Sequence, residues 1–172
     1  MMMMARGPRY KVPFRRRREG RTDYRHRAAL LRGEKVRLVV RSSNRHSRVQ
    51  FIEYKGGQDF TLASAVSKEL EELGWKLSGR STPGAYLTGL LAGKRAAEKG
   101  LVEAVLDIGL KKPTKGAVVF AALKGVLDAG IEVPHSDEML PKEERISGKH
   151  MKAGTKEMFE AAKVKIGGAT NE

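Results

Sequence analysis

No cysteine occurs in the chain, which excludes disulfide frameworks and thiolate metal sites and fits a reducing compartment. No apolar run approaches the roughly 18 residues needed to span a bilayer. The first residues, Met1 to Met4, lead straight into Ala5 and Arg6 without an apolar stretch, so no secretory signal is expected, and a soluble cytoplasmic protein is the reading that follows. The four histidines, His26, His46, His135 and His150, fall in no metal-ligand spacing and have no cysteine to join them. No internal repeat is visible. Acidic residues are scarce at one end only. In the first fifty positions Glu19, Asp23 and Glu34 face sixteen Lys+Arg, a net +13 out of +14 for all 172 residues.

The remaining residues carry almost balanced charge, so a polyanionic partner is implied for one end of the molecule and not for the whole. Such a cationic block repels itself and cannot form a core, but it can displace condensed counterions from phosphates. The 40% apolar content is enough for one modest core elsewhere. Three regions are expected: a basic arm over 1–32 that meets the polyanion, an α/β globular domain over 33–134, and a polar extension with a short helix over 135–172.

In the arm, Pro8, Pro13 and the charge density argue against a helix before about Thr22, so an extended segment that orders on its partner is expected. Thr22 and Asp23 provide a cap for a short helix over residues 24–32, with Leu30 and Leu31 docking it on the body. Val36, Leu38, Val39 and Val40 read as a strand, Ser42-Ser43-Asn44 as a turn, and Val49 to Tyr54 as a second strand ending at Gly56-Gly57. Residues 60–73 fit either an alternating strand or a helical stripe; a short strand passing into a helix near Val66, stopped by Gly74, is favoured. Ser81-Thr82-Pro83 opens a helix that runs through Leu87, Leu90 and Leu91 towards Gly100. Residues 102–108 read as a buried strand, 111–116 as a basic loop, and 119–127 as a helix closing at Gly130. Ile131 to Val133 could form a last strand, and Thr155 a final amphipathic helix around Met158, Phe159 and Ala162. This order implies an α/β class, a mixed sheet covered by helices in a sandwich.

Arg15, Arg16, Arg17 and Arg18 form the densest charge run, and Tyr10, Phe14 and Tyr24 lie among the arm's charges. Guanidinium forks grip phosphate bidentately, and rings stack on unpaired bases at about 1–3 kcal/mol per base. The alternative for the three rings is packing on the protein's own surface. A membrane-surface role would need an amphipathic apolar face, which the arm lacks. Gly89, Gly93, Lys94 and Arg95 are one residue short of a phosphate-binding loop, no hydroxyl follows the lysine, and the segment sits within a helix; helix packing explains these glycines better. Asp107, with Glu53 and Asp128, is a conceivable two-metal nuclease site, but single acids at strand ends usually cap the following turn.

Longer strings carry a resemblance. Gly7-Pro8-Arg9-Tyr10-Lys11-Val12-Pro13-Phe14 with the arginine run, Thr22-Asp23-Tyr24, Arg41-Ser42-Ser43-Asn44-Arg45-His46, Thr82-Pro83-Gly84-Ala85-Tyr86-Leu87-Thr88-Gly89, Val105-Leu106-Asp107-Ile108-Gly109-Leu110 and Pro113-Thr114-Lys115-Gly116 occur in order. Together they resemble the archaeal type of the universal large-subunit ribosomal protein eighteen, over about residues 5–148. The resemblance implies an α/β sandwich with a basic amino-terminal extension, no enzymatic activity, and a structural role in the large subunit: binding 5S rRNA and helping attach it to 23S rRNA in the central protuberance, beside neighbouring ribosomal proteins. It places Arg6, Arg9, Tyr10, Lys11, Phe14, Arg15, Arg16, Arg17, Arg18, Arg21, Tyr24, Arg25 and Arg27 on RNA. It also places the turn of Arg41, Ser42, Ser43, Asn44, Arg45 and His46 against 5S rRNA. Lys111, Lys112 and Lys115 are added from the charge of their loop and its place at a strand end. No cofactor, metal, membrane or small-molecule substrate is implied. The tail after Lys149 follows no family pattern. The alternatives are a carboxylate-dependent nuclease and a free-standing RNA chaperone.

Overall fold

The structure is a computed structural model that describes residues 7–152 and 154–168. The elements follow in the order α1 Arg15–Arg18, α2 Tyr24–Leu31, β1 Arg37–Ser42, β2 Ser47–Lys55, β3 Gln58–Val66, α3 Thr82–Ala97, β4 Val105–Asp107, α4 Val118–Asp128, α5 Glu143–Ile146 and α6 Thr155–Gly168. The four strands form one mixed sheet, ordered β3-β2-β1-β4. The first three strands are antiparallel, and β4 joins β1 in parallel after the α3 crossover. Helices pack on this sheet, as the alternation of β elements and helical stripes requires.

Strand alternation decides which face is covered. Leu38 and Val40 of β1, Val49 and Phe51 of β2, and Ala63 and Ala65 of β3 point into the core under the helices. The register holds past Leu62 because a bulge between Phe51 and Ile52 absorbs one residue. This pairing overturns the helix expected from Val66 to Leu73: β3 runs through Val66, paired with Arg48, and only a 3-10 turn at Glu69–Glu71 follows. The apolar stripe of that segment is satisfied by Leu70, buried beneath a turn, and needs no helix.

Smaller differences have similar causes. The buried strand expected over 102–108 is a three-residue edge strand with Val105 and Leu106 half-buried, and Val102 is exposed. Residues 131–133 contribute a single parallel bridge, Glu103 to Glu132, because β4 is too short to offer a partner. In the arm, one helical turn forms at Arg15–Arg18, where extended chain was expected. The amides of Arg17 and Arg18 bond back to the Phe14 carbonyl, beyond the reach of Pro13.

Helix α3 is buried along nearly its whole length, between the sheet, α4 and the α5–α6 segment. Ser81 caps it through the Gly84 amide. Glycines set its crossing with α4: a Cβ on Gly89 would sit 2.0 Å from the Ala122 carbonyl oxygen, and one on Gly125 would sit 2.2 Å from that of Tyr86. Both obstructions are backbone, so the helices could not close. Gly125→Ala is therefore expected to cost about 2–3 kcal/mol, read as a melting temperature lower by roughly 5–10 °C in circular dichroism. An unchanged melting temperature would contradict this account of the crossing. Phe159, Ala162 and Ile166 of α6 join the same core, where Phe159 meets Tyr86 with ring centroids 5.5 Å apart.

Candidate nucleic-acid interface

No residue of α1 or α2 is buried. The arm is shaped by short polar contacts. Asp23 caps α2 by accepting the Arg25 and His26 amides at 3.0 Å each, and the Arg16 Nε donates to the Thr22 hydroxyl at 2.9 Å. Glu19 pairs with Arg21 at 2.9 Å and more loosely with Arg15 at 3.8 Å. Among the described residues, Arg9, Lys11, Arg17, Arg18 and Arg25 have no ion pair and are exposed. Phe14 is 83% exposed and Tyr24 39%, whereas Tyr10 is half-buried. Arg6 lies outside the described residues.

The turn after β1 divides its labour. Ser43 accepts the His46 amide at 3.0 Å through its hydroxyl, and its own amide donates to the His46 carbonyl. The His46 ring meets Ser67 at 3.3 Å. Ser43 and His46 thus build the turn, and Asn44 and Arg45 stand exposed at its tip. Lys111 reaches back to bond the Ser42 hydroxyl, joining the basic loop to the end of β1. Lys112 is exposed on the same loop. Lys115 is not brought to this cluster; it pairs with Glu138 at 2.5 Å and lines a separate groove with Lys142 and Arg145.

Of the residues predicted from sequence, the structure brings Arg16, Arg21 and Arg27 of the arm, Arg41 of β1 and Lys111 of the loop together around a cleft of about 410 Å³, with His26, Asp23 and Asp107 beside them; the other predicted residues among those described do not line it. Three segments far apart in sequence therefore present cations to one concavity, where like charges focus field on an incoming anion.

Three of the lining residues, Arg27, Arg41 and Asp107, belong to an alternating ladder of guanidinium and carboxylate. Arg27 meets Asp59 at 2.8 Å, Asp59 meets Arg37 at 2.8 Å, Arg37 meets Asp107 at 3.1 Å, and Asp107 meets Arg41 at 2.8 Å. Arg41 also donates to the Asp107 backbone carbonyl at 2.6 Å. Gly109 makes room for this: its φ is +65°, and a Cβ there would lie 3.0 Å from the Arg41 guanidinium carbon. Burial pushes the Asp107 carboxyl up, but the Arg41 hydrogen bond and charge, the Gly109 amide and Arg37 outweigh it and hold it below the usual range. At Asp59 burial is likewise outweighed, by Arg27 and Arg37. The anionic forms are the ones the fold retains.

Arg37 and Asp59 were not singled out from sequence. The signal was present in Val36-Arg37-Leu38-Val39-Val40: an arginine inside an apolar strand, only 2% exposed, requires an anion beside it. Asp107 caps the following turn through the Gly109 amide at 2.9 Å, as strand-end acids commonly do. Of the other carboxylates suggested for a nuclease, Asp128 is engaged elsewhere: it accepts the Tyr86 hydroxyl at 2.7 Å and pairs with Lys124 at 2.9 Å. Among the described residues, no three His, Asp or Glu side chains cluster as metal ligands would. Lys94 and Arg95 tie α3 to its surroundings, donating to the carbonyls of Ile166 and Ser64 at 3.0 Å and 2.8 Å. No helix among the described residues is long and apolar enough to cross a membrane.

Known proteins are similar to this sequence. A family model described as ribosomal large subunit proteins 60S L5 and 50S L18 matches residues 8–105 and 94–136. The large ribosomal subunit protein uL18 of Korarchaeum cryptofilum is 60% identical over 148 residues, covering 86% of this chain and 76% of that protein. The uL18 proteins of Aeropyrum pernix and Haloarcula marismortui are 56% and 55% identical over 149 and 148 residues; each alignment covers 86% of this chain, and 70% and 79% of those proteins. Identity of this extent over most of the chain, with the matching family model, shows that the chain belongs to the family of ribosomal large subunit proteins 60S L5 and 50S L18, whose members are structural, cytoplasmic constituents of the large subunit and not enzymes.

Proposed function

We propose that the protein binds 5S rRNA and helps attach it to 23S rRNA in the central protuberance of the large subunit, alongside neighbouring ribosomal proteins. The observation that carries this reading is the convergence of Arg16, Arg21, Arg41 and Lys111 on one cleft, on an arm whose Arg9, Lys11, Arg17 and Arg18 are exposed and have no ion pair among the described residues. Counterion release from that many phosphate contacts supplies sequence-independent affinity. Specificity then comes from shape and from unpaired bases stacking on exposed rings, of which Phe14 and Tyr24 are the accessible ones here. On this reading the region 1–32 is the RNA-binding arm and 33–134 the body that presents it.

The test is co-sedimentation of the tagged full chain with large subunits through a high-salt wash, followed by sizing the RNA bound to protein released from those particles. The expected result is retention on the subunit and recovery of a small RNA of 5S size. Release by the wash, or recovery of mixed RNAs without preference, would overturn the assignment and favour a free-standing chaperone.

A further inference from the structure

The helix α2 poses a stability problem that its contacts answer. It has eight residues and no buried side chain, well below the roughly 12–15 residues at which a helix becomes stable alone. Its amino end is capped by Asp23, and Leu30 and Leu31 near its carboxyl end are half-buried. Between these ends it is tied to the body by Arg27, whose guanidinium meets Asp59 at the start of β3. Asp59 is not a free surface acid. Its other oxygen is fixed at 2.8 Å by Arg37, whose side chain is 3% exposed and is itself held by Asp107. An isolated surface ion pair contributes little because both side chains must be ordered to make it, but here one partner is already immobilised by a buried network.

We propose that Asp59 and Arg27 form a latch that holds α2, and through it the basic arm, in place on the body before RNA arrives. This rests on the RNA-binding reading above and refines it. Arg27 becomes a positioning residue, its charge turned towards Asp59, and the phosphate contacts fall to the arginines upstream. A docked arm lowers the ordering cost at binding, since the apparent dissociation constant scales inversely with the population of the competent state.

The decisive variant is Asp59→Asn in the full chain. It raises the net charge by one, so charge alone requires tighter binding to 5S rRNA. The latch requires the opposite, about three- to tenfold weaker binding. It also requires that, without RNA, hydrogen-exchange protection of the amides at 27–32 falls while that of α3 and α4 is unchanged. Arg27→Gln, which leaves the Arg37–Asp59–Asp107 contacts intact, should loosen the same amides, and adding Asp59→Asn to it should loosen them no further. Unchanged protection in α2, tighter binding by Asp59→Asn, or additive effects in the double variant would overturn the latch. If the unaltered chain shows no preference for 5S rRNA, the RNA reading fails, while the exchange measurement still decides whether α2 is held by this pair.

Discussion

A chain lacking residues 5–21 is expected to bind 5S rRNA at least about a hundredfold more weakly near 0.1 M salt, with its body still folded. The deletion removes eight Lys+Arg against the single Glu19. The structure shows which of these are free to act. Arg9, Lys11, Arg17 and Arg18 have no ion pair among the described residues, and Arg15 and Arg21 share Glu19. If three or four of them touch phosphates, the slope of log affinity against log salt should flatten by about 2–3, since each contact contributes roughly 0.7–0.9. The body should survive, because α1 buries nothing and the Asp23 cap of α2 is retained. Filter binding across a salt series, with circular dichroism as the folding control, gives both readings. A variant with unchanged affinity and slope would show that the arm does not carry the interaction.

Asp107→Ala should be the most damaging single change to the ladder. The carboxylate is 8% exposed and serves Arg37, Arg41 and the Gly109 amide at once. Removing it leaves the buried Arg37 with Asp59 alone and strands an amide at the turn. Breaking a buried pair by deleting one partner costs about 3–5 kcal/mol, and the retained Asp59 contact places the expectation near the lower end, about 3 kcal/mol. The pH dependence follows from the same contacts. Asp107 and Asp59 have carboxyls held below their ordinary value of 3.8 in the folded protein. Groups depressed in this way contribute their stability fully above the unfolded value, near pH 4, and lose it as pH falls through the folded values. The unaltered protein should therefore lose stability below about pH 4, and Asp107→Ala should start lower at pH 7 and show a shallower acid decline. Urea unfolding at neutral and acid pH measures both. Equal stability at pH 7, or an identical acid decline, would mean that the ladder contributes nothing.

How far these features were legible beforehand depends on how local their causes are. The Ser81-Thr82-Pro83 cap, the Asp23 cap and the turn at Ser43 were readable because each is closed by groups within a few residues. The segment 60–73 was ambiguous because its residues satisfy two periodicities, and only pairing with β2, with a bulge at Phe51 and Ile52, extended the strand through Val66. Gly89 and Gly93 were separable from a phosphate loop by spacing, but that Gly89 and Gly125 meet the opposing backbone is a property of the crossing. Lys115 was grouped with Lys111 by proximity in sequence, and the loop turns it towards Glu138 instead.

The lopsided charge, the rings among the arginines and the alternation of strand and helix patterns are properties of residue order, and they determined the α/β class and the cationic end without coordinates. Which cations share a cleft, and which are spent on carboxylates, was decided only by folding. Ion pairing requires approach within a few ångströms, and the partners of Arg37, 22 and 70 residues away, come that close only when β1 lies beside β4 and the β2–β3 hairpin folds back.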